Sequence, residues 1–153
     1  MRCRLNRFLP LLCAGGLLFA APTRAEVTVT DAWVRGTVPR QTATEVFMTL
    51  TSSGDLALVA AASPVAGIVE IQRPVTSGGQ KAMRAIDEVE LPAGKAVALV
   101  PGGVQVMLIE LRKPLRAGEK VPITLTFVNR DNRRSLLEIA AEVRPAGAPA
   151  PKR

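Results

Sequence analysis

The stretch that decides the fold is residues 96–128, AVALVPGGVQVMLIELRKPLRAGEKVPITLTFV. Its first β-favouring run, 96–100, is expected to end at Pro101, because proline cannot donate a hydrogen bond to a sheet. In its last run Ile123, Leu125 and Phe127 alternate with threonines. Such alternation predicts a strand with one face packed in a core and the other in water.

Similar runs recur along the chain and are separated by glycine-, proline- and asparagine-rich turn signals. This rhythm predicts an all-β sandwich or barrel. The run 136–141 carries glutamates at helical spacing, but the turn signal at 129–132 favours a strand that pairs with 123–128. The predicted strands are 27–30, 46–51, 68–71, 96–100, 104–111, 123–128 and 136–143.

The N-terminus is typical of a secretory signal peptide, with three arginines in the first seven residues and an apolar run at 8–21. We expect cleavage after Ala25; an uncleaved N-terminal anchor is the alternative. Lipid attachment at Cys13 is not expected, because Leu12 stands where a small residue is required. The predicted organisation is therefore a signal peptide at 1–25, one domain at 26–144 and a disordered tail at 145–153.

The predicted mature chain has few side chains of the types that commonly serve in catalysis. Cleavage removes four arginines and no acidic residue, so the formal charge falls from +7 to +3, and it removes both cysteines. Histidine and tyrosine are absent from the whole sequence. Without the commonest general base, a thiol or a phenol, an enzyme is not expected. The modest charge and few aromatic residues argue against nucleic-acid binding, and we expect no membrane insertion after cleavage.

Two clusters of charged residues are each open to two interpretations. The acidic cluster comprises Asp87, Glu88 and Glu90, and we expect it on a solvated hairpin edge and not in a paired-carboxylate site. The basic cluster comprises Arg130, Arg133 and Arg134 around Asp131, and we expect it in a solvated turn and not in a partner-docking patch.

Met83 and Met107 are the remaining unusual side chains. A thioether sulfur is soft and can hold Cu(I), although methionine more often fills a core. On a strand, Met107 shares its face with Gln105 and Ile109. We expect Gln105 to place that face partly in water.

Several segments, in this order, carry a resemblance to the periplasmic copper chaperone PCu(A)C family. They are 30–35 (TDAWVR), 47–50 (FMTL), 63–66 (SPVA), 69–71 (VEI), 83–84 (MR), 91–94 (LPAG), 101–104 (PGGV), 106–108 (VML) and 115–122 (LRAGEKVP). The resemblance implies a cupredoxin-like Greek-key β-sandwich, a periplasmic location and Cu(I) as the bound ion.

The resemblance also implies a ligand set. The family binds Cu(I) with His, ten residues, Met, twenty-one residues and His-x-Met, which in this chain corresponds to Gln72, Met83, Gln105 and Met107. Glutamine offers an amide oxygen, which is a hard and weak donor for Cu(I). We therefore expect affinity below that of the family and no useful Cu(II) binding.

The neighbourhood of Gln72 adds two expectations. A hairpin around Ser77-Gly78 would set Gln72 opposite Met83. Arg73 is expected to repel bound copper, by about 1 kcal/mol at roughly 4 Å in water-like surroundings.

Two functional hypotheses follow. In the first, the chain is a periplasmic carrier that delivers Cu(I) to a copper-accepting exported protein, such as an oxidase assembly factor. Alternatively, it is a metal-free interaction module that has lost copper binding and contacts another exported protein.

Overall fold

The computed structural model describes residues 25–149. The predicted signal peptide lies outside this range except for Ala25, as do the last four residues of the predicted tail. The described residues form ten strands and no helix. The strands are β1 (Val27–Arg35), β2 (Ala43–Ser52), β3 (Leu56–Ala62), β4 (Ala66–Ser77), β5 (Gln80–Ala85), β6 (Val89–Leu91), β7 (Ala96–Leu99), β8 (Gln105–Leu111), β9 (Lys120–Asn129) and β10 (Arg134–Arg144).

The strands form one hydrogen-bonded path in the order β5-β4-β8-β2-β1-β10-β9-β3-β6, and β7 pairs with β2. The β1–β10 pair is parallel, whereas the other pairs are antiparallel. Neighbours such as β8 and β2 are distant in sequence, as in Greek-key arrangements. The predicted all-β, cupredoxin-like fold is confirmed.

A single core lies between the layers of this folded-over path, and the decisive stretch contributes much of it. In β9 the residues Ile123, Leu125 and Phe127 are buried, while the intervening threonines are half-exposed. Leu108 of β8 is fully buried. Each such side chain contributes roughly 1.5–3 kcal/mol through burial. The alternation in the sequence is therefore the alternation between core and surface.

The prediction of a strand at 136–143 is confirmed, because β10 pairs antiparallel with β9. Two other strands, β3 and β6, were not predicted, and β5 was expected only as the second arm of the hairpin around Ser77-Gly78. β3 is rich in alanine, and β5, QKAMRA, consists mostly of residues that favour helix, so neither has a strong β-propensity. β6 has only three residues. All three form because neighbouring strands supply hydrogen-bond partners.

The predicted register of the β4–β5 hairpin is wrong. Gly78 and Gly79 occupy the turn at φ of +58° and +80°, and Ser77 pairs with Gln80. A two-residue hairpin with a type I′ turn needs positive φ at both central positions, and two glycines meet that need without strain. As a consequence Met83 lies opposite Pro74 and not opposite Gln72.

Candidate metal site

The centre of the candidate site is β8, which lies between β4 and β2 in the sheet. Gln105 and Met107 are two residues apart on this strand and project from the same face. Gln72 of β4 is directly opposite Gln105. The structure therefore brings together three of the four residues that the sequence predicts as ligands.

Two carboxylates flank Met107, and the sequence analysis did not identify either. Glu70 of β4 and Glu45 of β2 are both register partners of Met107, one on each side of β8. Residues directly opposite in antiparallel strands have Cβ atoms about 4.5–5.5 Å apart on the same face. Glu70 is two residues before Gln72, and on a strand that spacing places both side chains on the same face, so the sequence could have identified Glu70 as part of the site. Glu45 required knowledge of the β2–β8 register.

Hydrogen bonds connect these side chains into a cluster. The Nε2 of Gln105 donates to Glu45 Oε1 and to Met107 Sδ, each at 3.3 Å. The Nε2 of Gln72 donates to Glu70 Oε2 at 2.9 Å. The expectation that this face lies partly in water holds for Met107 and Ile109, which are partly exposed, whereas Gln105 itself is only 4% exposed. Neighbouring carboxylate and thioether groups replace the water that a surface amide would bind.

The carboxylates determine how the two glutamine amides are oriented. A carboxylate at neutral pH only accepts hydrogen bonds, so it must face an amide nitrogen and not an amide oxygen. The nitrogens of Gln72 and Gln105 are accordingly directed at Glu70 and Glu45. Their oxygens, the only metal donors of the amides, are turned away from these carboxylates.

An ion pair supports Glu45 from the other side. Arg35 Nε lies 2.9 Å from Glu45 Oε2, and the Arg35 guanidinium lies 5.5 Å from the centre of the Phe47 ring. Phe47 in turn packs on Trp33, with ring centres 4.7 Å apart. Both rings are about 1% exposed. The buried aromatic pair therefore positions Arg35, Arg35 positions Glu45 through the ion pair, and Glu45 positions Gln105 through a hydrogen bond.

Met83, the fourth predicted ligand, lies apart from the others. Its strand, β5, is two strands away from β8, a separation of about 10 Å across the sheet. The β4–β5 and β4–β8 registers place it on the same face as Gln72 and Met107. Its side chain is 38% exposed. The structure thus places both thioethers on one face without bringing them together.

Arg73 does not contribute the repulsion that the sequence predicted. It follows Gln72 on β4 and therefore projects from the opposite face of the sheet. Its register partner there is Arg84. On the site's own face Arg35 balances Glu45, and Glu70 has no cation paired with it among the described residues. The net charge around Met107 is therefore negative, which favours a cation.

The donor set of the cluster fits a soft monovalent ion only weakly. Met107 supplies one thioether, and the amides supply oxygens, which are hard donors. The Met107 sulfur also accepts a hydrogen bond from Gln105, which a bound ion would displace. Within residues 25–149 no group of three or more histidine, cysteine, aspartate or glutamate side chains is arranged to hold a metal.

The charged groups that the sequence assigned to solvated positions are exposed. Glu88, Glu90, Arg130 and Arg134 line an open cavity of about 520 Å³ at the β3–β6 end of the sheet. Arg130 is paired there with Asp55 at 2.6 Å. This cavity lies at the opposite end of the strand order from the Gln72–Met107 cluster. Over the same described range, no helix has the length and apolarity to cross a membrane.

A family model described as putative lipoprotein LpqE-like matches residues 27–136, which contain the whole cluster. The chain belongs to the LpqE-like family. A curated relative, putative lipoprotein Lxx21020 of Leifsonia xyli subsp. xyli (strain CTCB07), is 36% identical over 102 residues. That match covers 66% of this chain and 61% of the relative. This LpqE-like chain therefore spans about 61% of the length of the curated relative.

Solved structures show the fold of this LpqE-like chain. The apo PCuAC domain of PmoF2 has a TM-score of 0.61 and 21% identity, covering 80% of this chain and 92% of that domain. The solution structure of the Cu(I) form of DR1885 from Deinococcus radiodurans has a TM-score of 0.58 and 35% identity, covering 74% of both chains. The predicted membership in the PCu(A)C family is confirmed.

Proposed function

We propose that this protein is an exported, copper-chaperone-like carrier that takes up Cu(I) weakly and hands it to a copper-accepting exported protein. Met107 and Met83 supply the sulfur donors, and Gln72 and Gln105 supply amide oxygens. Two findings support this proposal: the PCu(A)C-type fold, and the 35% identity to DR1885, which was solved in its Cu(I) form.

The observation that carries the proposal is the placement of Met107 between Glu45 and Glu70. A soft sulfur donor in a locally negative environment attracts a soft cation. The affinity is expected to be low, because binding displaces the Gln105 N–H from the sulfur. Met83 is the weaker thioether donor, since two strand spacings separate it from Met107.

Export is the proposed cellular context. The descriptions of the family and of its Leifsonia xyli relative, putative lipoproteins, support a place in the cell envelope. We propose a periplasmic location after cleavage following Ala25, without lipid on Cys13, because Leu12 precedes that cysteine. A non-enzymatic role accords with the absence of histidine and tyrosine from the sequence.

A competition titration tests the copper proposal. The mature protein is titrated with Cu(I) under reducing, anaerobic conditions against a chromophoric Cu(I) chelator. Met107→Leu keeps the side-chain volume but removes the sulfur, so we expect it to abolish binding, whereas Met83→Leu weakens it. The dissociation constant from the chelator absorbance is the measurement.

Met48→Leu is the matched control. Met48 is 2% exposed in the main core, so its replacement tests the loss of a sulfur away from the site. Its Cu(I) affinity should equal that of the unchanged protein. If Met107→Leu binds Cu(I) as tightly as Met48→Leu does, the proposed site is not where copper binds.

A metal-free interaction module is the second candidate function. The specific observation in its favour is that the Gln105 amide already satisfies Glu45 and Met107 without any ion. This candidate predicts no competition with the chelator at any protein concentration. The same titration therefore separates the two candidates.

A further inference from the structure

The strand β5, at one end of the sheet, presents an uncovered edge. β5 is at the end of the strand order and pairs only with β4. All six of its residues are exposed. Edge strands carry unpaired backbone N–H and C=O groups that can pair with another extended chain. This edge is remote from the charged cavity at the β6 end of the sheet.

The register shows which backbone groups of β5 point outward. In an antiparallel pair, alternate residues exchange both hydrogen bonds, and the residues between them point their backbone groups away. Ile86 N donates to Ile71 O at 2.8 Å, so that pair is of the bonded type. Pro74, which has no N–H, accordingly lies at a non-bonded position opposite Met83. The outward-pointing residues are Lys81, Met83 and Ala85.

The hairpin has charges of one sign only. Residues 72–85 contain Arg73, Lys81 and Arg84 and no carboxylate. Arg73 and Arg84 are directly opposite each other on one face, where like charges destabilise the pair. The ion pairs of residues 25–149 involve Arg35, Lys113 and Arg130, so none includes a hairpin cation. An anionic partner would relieve this repulsion.

We propose that β5 is a docking strand for an acidic, extended segment of another exported protein. The segment adds to the sheet through the outward backbone groups of Lys81 and Met83, and its carboxylates lie beside Arg84 and Arg73. A second copy of this chain does not fit, because pairing β5 with itself would bring cations together. The proposal does not depend on copper binding.

The side chains of β5 define the alternation of the partner segment. Lys81 and Met83 project from the face that holds Gln72, whereas Arg84 projects from the other. Met83 is 38% exposed and offers an apolar contact. The matching segment therefore alternates, with acidic residues on the Arg84 face and apolar residues next to Met83.

A capped seven-residue peptide that alternates glutamate and valine is a suitable probe. It is titrated into isotopically labelled mature protein and followed by amide chemical shifts. We expect shifts concentrated at residues 80–86 and saturable binding that weakens as salt rises. The same peptide with lysine in place of glutamate should not bind. Shifts centred elsewhere, or equal binding of the lysine peptide, would overturn the proposal.

Two variants separate backbone pairing from charge. Lys81→Ala removes the charge but keeps the outward N–H, whereas Lys81→Pro removes both and breaks no bond to β4. We expect Lys81→Pro to bind about tenfold more weakly than Lys81→Ala, which corresponds to about 1.4 kcal/mol. Arg84→Glu should abolish binding. Equal affinities of the two Lys81 variants would refute strand addition.

Two further measurements keep the result decisive. If Lys81→Pro perturbs the hairpin, a peptide N-methylated at every residue replaces it, because that peptide keeps its charge but has no N–H on either edge to donate to a strand. Equal binding of methylated and plain peptides contradicts the proposal. Sedimentation of the unchanged protein is expected to show a monomer, and dimers that Lys81→Pro dissociates would identify a second copy as the occupant.

Discussion

Two parts of the predicted ligand set lie in contrasting environments, although one sequence pattern contains both. Gln105 and Met107 lie in the middle of the sheet, flanked by strands on both sides and connected by hydrogen bonds to each other and to Glu45. Met83 lies on a free edge strand with every residue exposed. Membership in one sequence pattern therefore does not imply equal constraint in the fold.

The two environments differ in how strongly a substitution should affect the free energy of unfolding. At the centre, each side chain has register partners on two strands, so a substitution disturbs several contacts. At the edge, a substitution disturbs few contacts within the protein and mainly alters the surface available to a binding partner. The following predictions test this contrast from the largest expected effect to the smallest.

Shortening a buried side chain at the centre of the sheet should lower the stability of the fold, whereas shortening an exposed one at the edge should not. Leu108, next to Met107, is fully buried. Leu108→Ala should lower the free energy of unfolding by about 2–5 kcal/mol through lost burial and a residual cavity. Met83→Ala, at the exposed edge, should change it by less than about 0.5 kcal/mol. Urea denaturation measures both, and equal losses would show that the hairpin is packed as firmly as the centre.

Introducing imidazoles at the two glutamine positions of the cluster should give tight copper binding if the scaffold supports it. The double variant Gln72→His/Gln105→His places two nitrogen donors at directly paired positions beside Met107. We expect its Cu(I) affinity to rise at least about 100-fold, or about 2.7 kcal/mol. Chelator competition measures the gain. Gln80→His, on the exposed edge, is the control and should show none.

An unchanged affinity in the double variant would mean that the donor types alone do not limit binding. The separation between Met83 and the β8 cluster would then be the limiting feature. If the affinity does rise, adding Met83→Leu to the double variant tests the role of Met83. Loss of the gained affinity would show that Met83 takes part.

Glu45 should stabilise the centre through its two partners. Glu45→Ala removes the carboxylate that accepts from the Gln105 amide and leaves the partly buried Arg35 guanidinium without its ion-pair partner. We expect a loss of about 1–2 kcal/mol, the usual cost of an unsatisfied, partly buried polar group. Glu138→Ala, at an exposed position of β10, should cost less than about 0.5 kcal/mol. Thermal or urea unfolding of both variants gives the comparison, and equal stabilities would show that the ion pair is dispensable.

Much of the fold could be predicted from the sequence because period-two alternation reports burial directly. The strand at 123–128 was predicted on that basis and the strand at 136–143 from the turn signal before it, and they form as β9 and β10. β3 was missed because its alanine-rich composition carries no such alternation, and β5, with a helix-favouring composition, was expected only from the turn signal of its hairpin. Their strand state depends on partners that are distant in sequence, β9 for β3, or on a two-glycine turn for β5.

The sequence by itself determined the all-β class, since the alternation of apolar and polar residues depends only on residue order, and its family resemblance predicted the ligand positions Gln72, Met83, Gln105 and Met107. Only the tertiary structure decided that Glu45 and Glu70 flank Met107, that Gln105 is buried and that Met83 lies at an edge. The physical reason is that register between strands is set by turns and by packing. A one-residue shift at Gly78-Gly79 was enough to move Met83 from Gln72 to Pro74.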